Sequence, residues 1–203
     1  MPTIELTTES RNHLIQQLGD ATEYYRELHP RDHVDRSEFG VDKSTIRAFH
    51  GFVKPLATFN SWAGNSIVGI GQVGEHRTQT EFDDWYDELV ASLDLAYGRQ
   101  PLAAYQRHKL VDLYLKWACR CDEIAAAARV RIVEFGHCPL DSYSLGLLRN
   151  VAPGTVLNTS VPSMSVITSE AAYSYVQAAI REVCEQVPCR PLHFDHIAWN
   201  AEH

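Results

Sequence analysis

Apolar residues recur every three or four positions along most of the chain, which is the spacing of α-helices that bury one face. Helices are predicted over residues 8–28, from 44 with an interruption at 55, and over 81–97, 102–118, 122–135, 142–148, 169–186 and 192–201. The chain lacks the alternation of short strands and helices that is typical of a parallel sheet. The fold class is therefore predicted to be all-α.

Prolines, glycines and capping residues mark the predicted helix ends. His29-Pro30 ends the first helix, because the residue before a proline avoids the helical conformation. Gly98 fits the position after a helix end, and Pro101 fits the first turn of the next helix. Asp141 follows a proline turn and is well placed to cap a short helix.

One glycine-rich run matches G-x-G-x-x-G, the fingerprint of dinucleotide-binding domains. It spans residues 69–74, and Asp94 lies 20 residues beyond its last glycine. The fingerprint needs a strand before the glycines and an apolar-faced helix directly after them. Residues 66–70 could form a strand, but 75–79 is a polar linker. We therefore interpret the run as a turn in which glycine allows a close backbone approach.

The composition is that of a globular protein with an acidic balance. The 203 residues include 18 lysines and arginines against 26 aspartates and glutamates, for a formal net charge of -8. A protein that grips DNA only through phosphates is usually basic, so DNA binding requires basic groups gathered on one face. No apolar run approaches the roughly 20 residues of a membrane span, and the N-terminus lacks signal-peptide features. We expect one domain, no membrane contact and a cytoplasmic location.

The five cysteines do not follow the spacing of a disulfide framework or of a regular zinc site. Cys119 and Cys121, with His137 and Cys138 further along, form a weak metal candidate, and free, partly buried thiols are the alternative. The histidines near the C-terminus lie in separate segments. We therefore expect no metal and no other cofactor.

Two of the four lysines, Lys109 and Lys116, lie two helical turns apart on one face of a strongly apolar helix. Asp112 lies between them on the same face. One interpretation is a solvated face with an ordinary ion pair. The other is a partly desolvated lysine that acts as an amine nucleophile.

Three segments of the C-terminal half carry a family resemblance. Residues 108–111 surround the first lysine, 139–141 form a proline turn with a carboxylate, and 191–199 place Asp195 and Trp199 on one helical face. Together they resemble the helix-hairpin-helix DNA glycosylase superfamily, and within it the archaeal-type 8-oxoguanine glycosylase branch. The resemblance implies a two-lobed helical fold with the active site in the cleft. We expect the lobes at roughly 1–80 plus the C-terminal helices, and at 81–150.

The resemblance also implies roles for individual residues. Lys109 corresponds to the Schiff-base amine, and Asp141 corresponds to the catalytic carboxylate. The residues expected to line the base pocket are Lys116, Asp195, Trp199, Pro139 and Trp62. The residues expected to contact DNA are Arg99, Gln106, Arg107 and Arg149.

The expected function is therefore a monomeric DNA glycosylase with lyase activity that flips a modified base out of double-stranded DNA. The base is either an oxidised purine such as 8-oxoguanine, or a hypermodified phage base such as glucosylated hydroxymethylcytosine in a defence role. The alternative is a helical DNA- or partner-binding module without chemistry, in which Lys109 is exposed and Asp141 only caps a helix. A zinc-dependent hydrolase is disfavoured by the spacing of the cysteines and histidines.

Overall fold

The computed structural model describes residues 3–36, 38–41, 45, 56–99, 101–153 and 163–201. Within these ranges the chain forms α-helices, short 3-10 helices and one isolated bridge between His29 and Cys121, with no β-sheet. The all-α prediction is confirmed. The helix predicted from residue 44 to 55 lies almost entirely outside the described residues.

The α-helices of these ranges are α1 (Thr8–Tyr24), α2 (Leu56–Ile70), α3 (Gln79–Tyr97), α4 (Ala104–Ala118), α5 (Ala126–Phe135), α6 (Ser142–Val151), α7 (Glu170–Glu185) and α8 (Pro191–Asn200). Short 3-10 helices cover Arg31–Arg36, Glu38–Gly40, Gly71–Glu75 and Met164–Val166. None of these helices is both long and apolar enough to cross a membrane. The predicted α1 and α3 to α8 are confirmed with ends that differ by a few residues, whereas α2 was missed.

The chain forms two compact units. The terminal unit comprises Met1–Arg26 and His137–His203, and the central unit comprises Glu27–Gly136. The lobes expected from the sequence, 1–80 with the C-terminal helices and 81–150, divide the chain at other positions. Each unit has an apolar core of its own.

Residues close together in the sequence determine where α3, in the central unit, begins. The Thr78 hydroxyl accepts from the Glu81 N–H, and the Glu81 carboxylate accepts from the Thr78 N–H, which is a reciprocal capping box. Hydrogen bonds from the Arg77 and Thr78 N–H groups lower the pKa of Glu81. The helix ends at Gly98, whose φ of 56° is a backbone conformation that favours glycine. Helices α2 and α4 both pack against α3.

Aromatic rings fill the core of the central unit around α4. The rings of Tyr114 and Trp117 are nearly parallel with centroids 5.9 Å apart, and the Tyr114 hydroxyl donates a 2.9 Å hydrogen bond to the Ala63 carbonyl. Burial raises the pKa of Tyr114. Gly40, with a φ of 79°, lies against the same helix, and a Cβ there would be 2.5 Å from the Leu113 carbonyl oxygen. Only glycine fits this position.

The glycine-rich run at 69–74 lies at the end of α2 and in the following 3-10 helix, so residues 66–70 are helical and the suggestion of a strand is wrong. A Cβ on Gly74 would lie 3.0 Å from Ala127 Cβ and 3.2 Å from the Ala128 nitrogen of α5. A Cβ on Gly69 or Gly71 would meet nothing within 4 Å. The close-approach interpretation therefore holds for the last glycine only.

Helix α8 occupies the middle of the terminal unit, where it packs against α1, α6 and α7. Side-chain oxygens of Thr7, Asp141 and Ser169 cap α1, α6 and α7, which satisfies backbone N–H groups that have no partner within their helix. The apolar side chains that these helices bury completely include Leu14, Leu145, Leu148, Ile180, Phe194 and Ile197.

All five cysteines are buried and none of them forms a disulfide, which agrees with the interpretation as buried thiols. Burial, followed by the hydrogen bond and charge of Cys189, raises the pKa of Cys184 well above its ordinary range. Burial also raises the pKa of Cys121. A thiol with a raised pKa is a poor nucleophile at neutral pH, so these two cysteines are packing residues.

Candidate active site

Lys109 lies in the second turn of α4 and is only 8% exposed. The helix buries residues on nearly all of its faces, because other elements of the central unit surround it. The alternative interpretation as a solvated lysine face is therefore wrong for Lys109, and Lys116 is half-buried. A cationic side chain in so apolar a setting requires polar neighbours.

Three side chains near Lys109 in the sequence or on the neighbouring helix are joined by hydrogen bonds. They are Tyr86 on α3, and His108 and Asp112 on α4. The Tyr86 hydroxyl donates a 2.7 Å hydrogen bond to Asp112 Oδ1 and lies 3.0 Å from His108 Nδ1. Each of the three side chains is at most 2% exposed. The sequence pattern singles out Asp112 but not Tyr86 or His108, because a partner on a neighbouring helix leaves no local signal.

Asp141 is the N-cap of α6, as predicted. Its Oδ1 accepts 2.9 Å hydrogen bonds from the N–H groups of Tyr143 and Ser144, and its own N–H donates to Ser144 Oγ at 2.8 Å. The side chain is half-buried. Because a helix N-terminus favours negative charge, these bonds fix the orientation of a charged carboxylate.

The loop that leads to Asp141 is held from α7. The buried side chain of Gln177 accepts from the Cys138 N–H at 3.0 Å and donates to the Cys138 carbonyl at 2.8 Å. His137 Nδ1 lies 2.9 Å from the Tyr173 hydroxyl on the same helix. Sequence reasoning missed Gln177, although a single amide on an otherwise apolar helix face is a signal of a buried hydrogen-bonding role.

Helix α8 carries the third segment of the predicted site. Asp195 is 4% exposed, and Trp199, one turn further on, is 48% exposed. His193 Nδ1 accepts a 3.2 Å hydrogen bond from the Arg190 N–H, which leaves the ring proton on Nε2. Burial, followed by the charges of Arg190 and His196, lowers the pKa of His193 to about 4, so the ring is neutral at physiological pH.

Aromatic contacts hold α8 against α1. The Tyr24 ring stacks on His196 with centroids 4.3 Å apart, and the Tyr25 hydroxyl donates a 3.1 Å hydrogen bond to the Leu192 carbonyl. Asn200 Nδ2 lies 3.0 Å from His196 Nε2. These contacts fix the rotation of α8, and thereby keep one carboxylate buried and one indole ring at the surface.

The residues expected to contact DNA differ in their surroundings. Arg99 is exposed and Arg149 is half-buried. Arg107 forms a 2.8 Å ion pair with Asp94 and is therefore held within the central unit. Gln106 is buried and its Oε1 accepts from the Ala103 N–H at 3.1 Å, so its side chain caps α4.

Two residues expected in the base pocket are packed in the cores of their units. Trp62 is 6% exposed, contacts Phe59 and Tyr114, and donates a 2.8 Å hydrogen bond from Nε1 to Ser92 Oγ. Its edge lies at a groove of about 520 Å³ between α2 and α3. Pro139 is buried two residues before Asp141. A stacking role for Trp62 stays a prediction.

The candidate residues are distributed over both units. The central unit carries Lys109, Lys116, Trp62, Arg99, Gln106 and Arg107, and the terminal unit carries Asp141, Pro139, Asp195, Trp199 and Arg149. In the terminal unit, the helix that Asp141 caps packs against the helix that bears Asp195 and Trp199. Across the described ranges, no three His, Cys, Asp or Glu side chains are placed to hold a metal ion.

The chemistry available is that of a buried amine in the central unit, and of an oriented carboxylate, a buried carboxylate and a surface indole in the terminal unit. A buried amine is a group that can form an imine, and a surface indole is a group that can stack on a planar ligand. Comparisons with protein-family models, curated proteins and solved structures find nothing that matches the chain.

Proposed function

We propose that the protein is a DNA glycosylase with lyase activity, in which Lys109 is the nucleophile. The observation that carries the proposal is the near-complete burial of Lys109 on an apolar helix that also holds the buried His108 and Asp112. A lysine that only improves solubility needs no such surroundings, whereas desolvation makes an amine a better nucleophile. The order of the three motifs along the chain supports the same function.

The proposed reaction excises a base whose ring nitrogen is bonded to C1′ of deoxyribose. The neutral amine of Lys109 attacks C1′, and the bond to the base breaks. The base leaves with the bonding electrons and takes up a proton. The sugar ring then opens as the lysine nitrogen forms an imine with C1′, and β-elimination of the 3′ phosphate from this imine nicks the strand.

Asp141 is proposed to act on the same sugar. Positive charge develops at C1′ as the base leaves, and a fixed carboxylate stabilises that charge. Because the α6 cap already orients Asp141, little reorganisation is needed when the charge appears. The carboxylate is also the proposed acceptor for a proton of the attacking amine.

A flipped base needs a stacking surface and polar groups that read its edge. Trp199 is the proposed stacking ring, since it is the exposed aromatic residue of the third segment. Asp195 and Lys116 are the proposed edge-reading groups, and Arg99 and Arg149 are proposed to contact the phosphates. The substrate class is an oxidised purine or a hypermodified base in double-stranded DNA, and the protein is proposed to act as a monomer.

Borohydride trapping tests this function, because borohydride reduces a lysine–sugar imine to a stable covalent adduct. The substrates are duplexes that carry 8-oxoguanine, glucosylated hydroxymethylcytosine or an abasic site. We expect an adduct from the wild type and none from Lys109→Gln. Lys116→Gln makes the same substitution on the same helix and is the matched control. It should lose base release but retain the abasic-site adduct, because an abasic site has no base edge to read.

Each other outcome has a defined meaning. An adduct from Lys109→Gln would show that another amine forms the imine. Base release without an adduct would retain the glycosylase but remove Lys109 from the covalent role. Neither an adduct nor base release on any of the duplexes would contradict the proposed function and favour a binding module.

A further inference from the structure

The hydrogen bonds that join the buried Tyr86, His108 and Asp112 have a defined order of donors and acceptors. The Asp112 carboxylate oxygen accepts the proton of the Tyr86 hydroxyl. The Tyr86 oxygen must then act as acceptor toward His108, so the hydrogen-bond network assigns a proton to His108 Nδ1. The Tyr86 and His108 rings are nearly parallel, with an interplanar angle of 9° and centroids 5.8 Å apart. Hydrogen bonds therefore run from His108 through Tyr86 to Asp112.

Asp112 is a close neighbour of Lys109, because residues three apart on a helix have Cβ atoms about 5–6 Å apart on one face. Asp112 is 2% exposed and Lys109 is 8% exposed. Opposite charges attract strongly in such surroundings, and a buried carboxylate is destabilising unless its charge is satisfied. The orientation of the Asp112 carboxylate thus affects both the position and the reactivity of the lysine amine.

We propose that Tyr86, His108 and Asp112 are positioning residues for the Lys109 amine. His108 and Tyr86 hold the carboxylate of Asp112 in one orientation, and Asp112 in turn orients the lysine side chain. The identity of the reaction rests on the proposed function, but the control of Lys109 by this group does not. A test must therefore measure the reactivity of the Lys109 amine both with and without DNA.

Reductive methylation of the full-length protein with formaldehyde and cyanoborohydride measures the reactivity of the Lys109 amine in the absence of DNA. The amine condenses with formaldehyde, water leaves, and hydride from cyanoborohydride reduces the imine to a methylamine. Mass spectrometry of a time course gives the rate constant of methylation at Lys109 in each variant. The variants are Tyr86→Phe, which removes one hydroxyl, and Asp112→Asn, which removes the charge but keeps an oxygen acceptor.

Tyr114→Phe is the matched control, because Tyr114 also carries a buried hydroxyl in the central unit, bonded to the neutral Ala63 carbonyl. It should destabilise the protein to a similar extent as Tyr86→Phe. It should leave the methylation rate of Lys109 unchanged, because its hydroxyl donates to the Ala63 carbonyl and not to the Asp112 carboxylate.

The two test variants should shift the methylation of Lys109 in opposite directions. Asp112→Asn removes a neighbouring negative charge, which favours the neutral amine and raises the rate on the order of tenfold. Tyr86→Phe removes a donor from the carboxylate, which then draws more strongly on the lysine ammonium and lowers the rate. General loosening of the structure would raise the rate in both variants.

Trapping on abasic DNA gives the second measurement. Tyr86→Phe should lower the single-turnover rate of adduct formation by about tenfold and leave the Kd for DNA unchanged. Unchanged methylation in both variants, or a change of the same sign in both, would overturn the positioning role. A wild type that forms no adduct on any duplex would overturn the proposed function, while the methylation rates would still decide the role of the three residues.

Discussion

The side-chain amide of Gln177 forms two hydrogen bonds with the backbone of Cys138. The Gln177 Oε1 accepts from the Cys138 N–H at 3.0 Å, and the Gln177 Nε2 donates to the Cys138 carbonyl at 2.8 Å. The N–H and carbonyl of Cys138 are buried, and the Gln177 amide satisfies both groups as a neighbouring strand would in a sheet. The loop ends at Asp141, three residues further on. The position of the proposed catalytic carboxylate therefore depends on a residue of α7.

Gln177→Met should destabilise the protein strongly. Methionine has a similar shape but removes both hydrogen bonds to the buried N–H and carbonyl of Cys138, which costs roughly 2–4 kcal/mol in total. Urea unfolding measures the change in the free energy of unfolding. Gln16→Met makes the same substitution on the exposed surface of α1 and should change that free energy by less than about 0.5 kcal/mol. Equal effects of the two substitutions would contradict the structural role of Gln177.

Substitutions of Asp141 should separate its capping role from its charge. Asparagine caps helices as well as aspartate does, so Asp141→Asn should leave the melting temperature nearly unchanged while base release is lost. Asp141→Ala removes the cap as well and should lower the free energy of unfolding by about 1 kcal/mol. Thermal melts and base-release assays on the same preparations give both quantities. An active Asp141→Asn protein would restrict this residue to capping.

Gly40→Ala should destabilise the central unit. The residue has a φ of 79°, and a Cβ would lie 2.5 Å from the Leu113 carbonyl oxygen and 2.7 Å from Trp117 Cβ. Backbone strain and overpacking together should cost at least about 2 kcal/mol.

Gly146→Ala is the matched control for that substitution, because Gly146 lies within α6 and a Cβ there would meet nothing within 4 Å. It should stabilise the protein by about 0.5–1 kcal/mol, since alanine favours the helix. Urea unfolding of both variants should therefore give changes of opposite sign.

His193 should make the protein less stable in acid. Its pKa is about 4 in the folded protein against an ordinary value of 6.5, so between these values the unfolded chain binds the proton and the folded chain does not. Stability is then unaffected by this group above pH 6.5 and falls as the pH decreases toward 4, by about 3 kcal/mol at most.

The substitution His193→Gln tests this pH dependence, because glutamine at the same position can accept the hydrogen bond from the Arg190 N–H but does not titrate. Unfolding free energies measured from pH 7.5 to pH 4 should fall less steeply in the variant than in the wild type. His13→Gln, at an exposed position of α1, is the matched control. Parallel pH profiles for wild type and His193→Gln would refute the assignment.

Helix periodicity and capping were predictable because they depend on residues close together in the chain. The stripe that α3 buries and the N-cap at Asp141 were predicted, and both depend on residues within a few positions of each other. Helix α2 was missed because Gly64 and Gly69 interrupt a pattern that Phe59 and Trp62 otherwise support. Glycine lowers helix propensity, and packing against α3 outweighs that cost.

The sequence by itself determined that the protein is helical, where most helices lie to within a few residues, and which lysine and carboxylates are candidates for chemistry. Tertiary structure alone decided that Lys109 is buried, that Tyr86 contacts Asp112 from another helix, and that Gln177 holds the loop before Asp141. Periodicity and capping follow from the local backbone, which a short segment specifies. Burial and long-range hydrogen bonds depend on which helices pack together, and that choice is made by the whole chain.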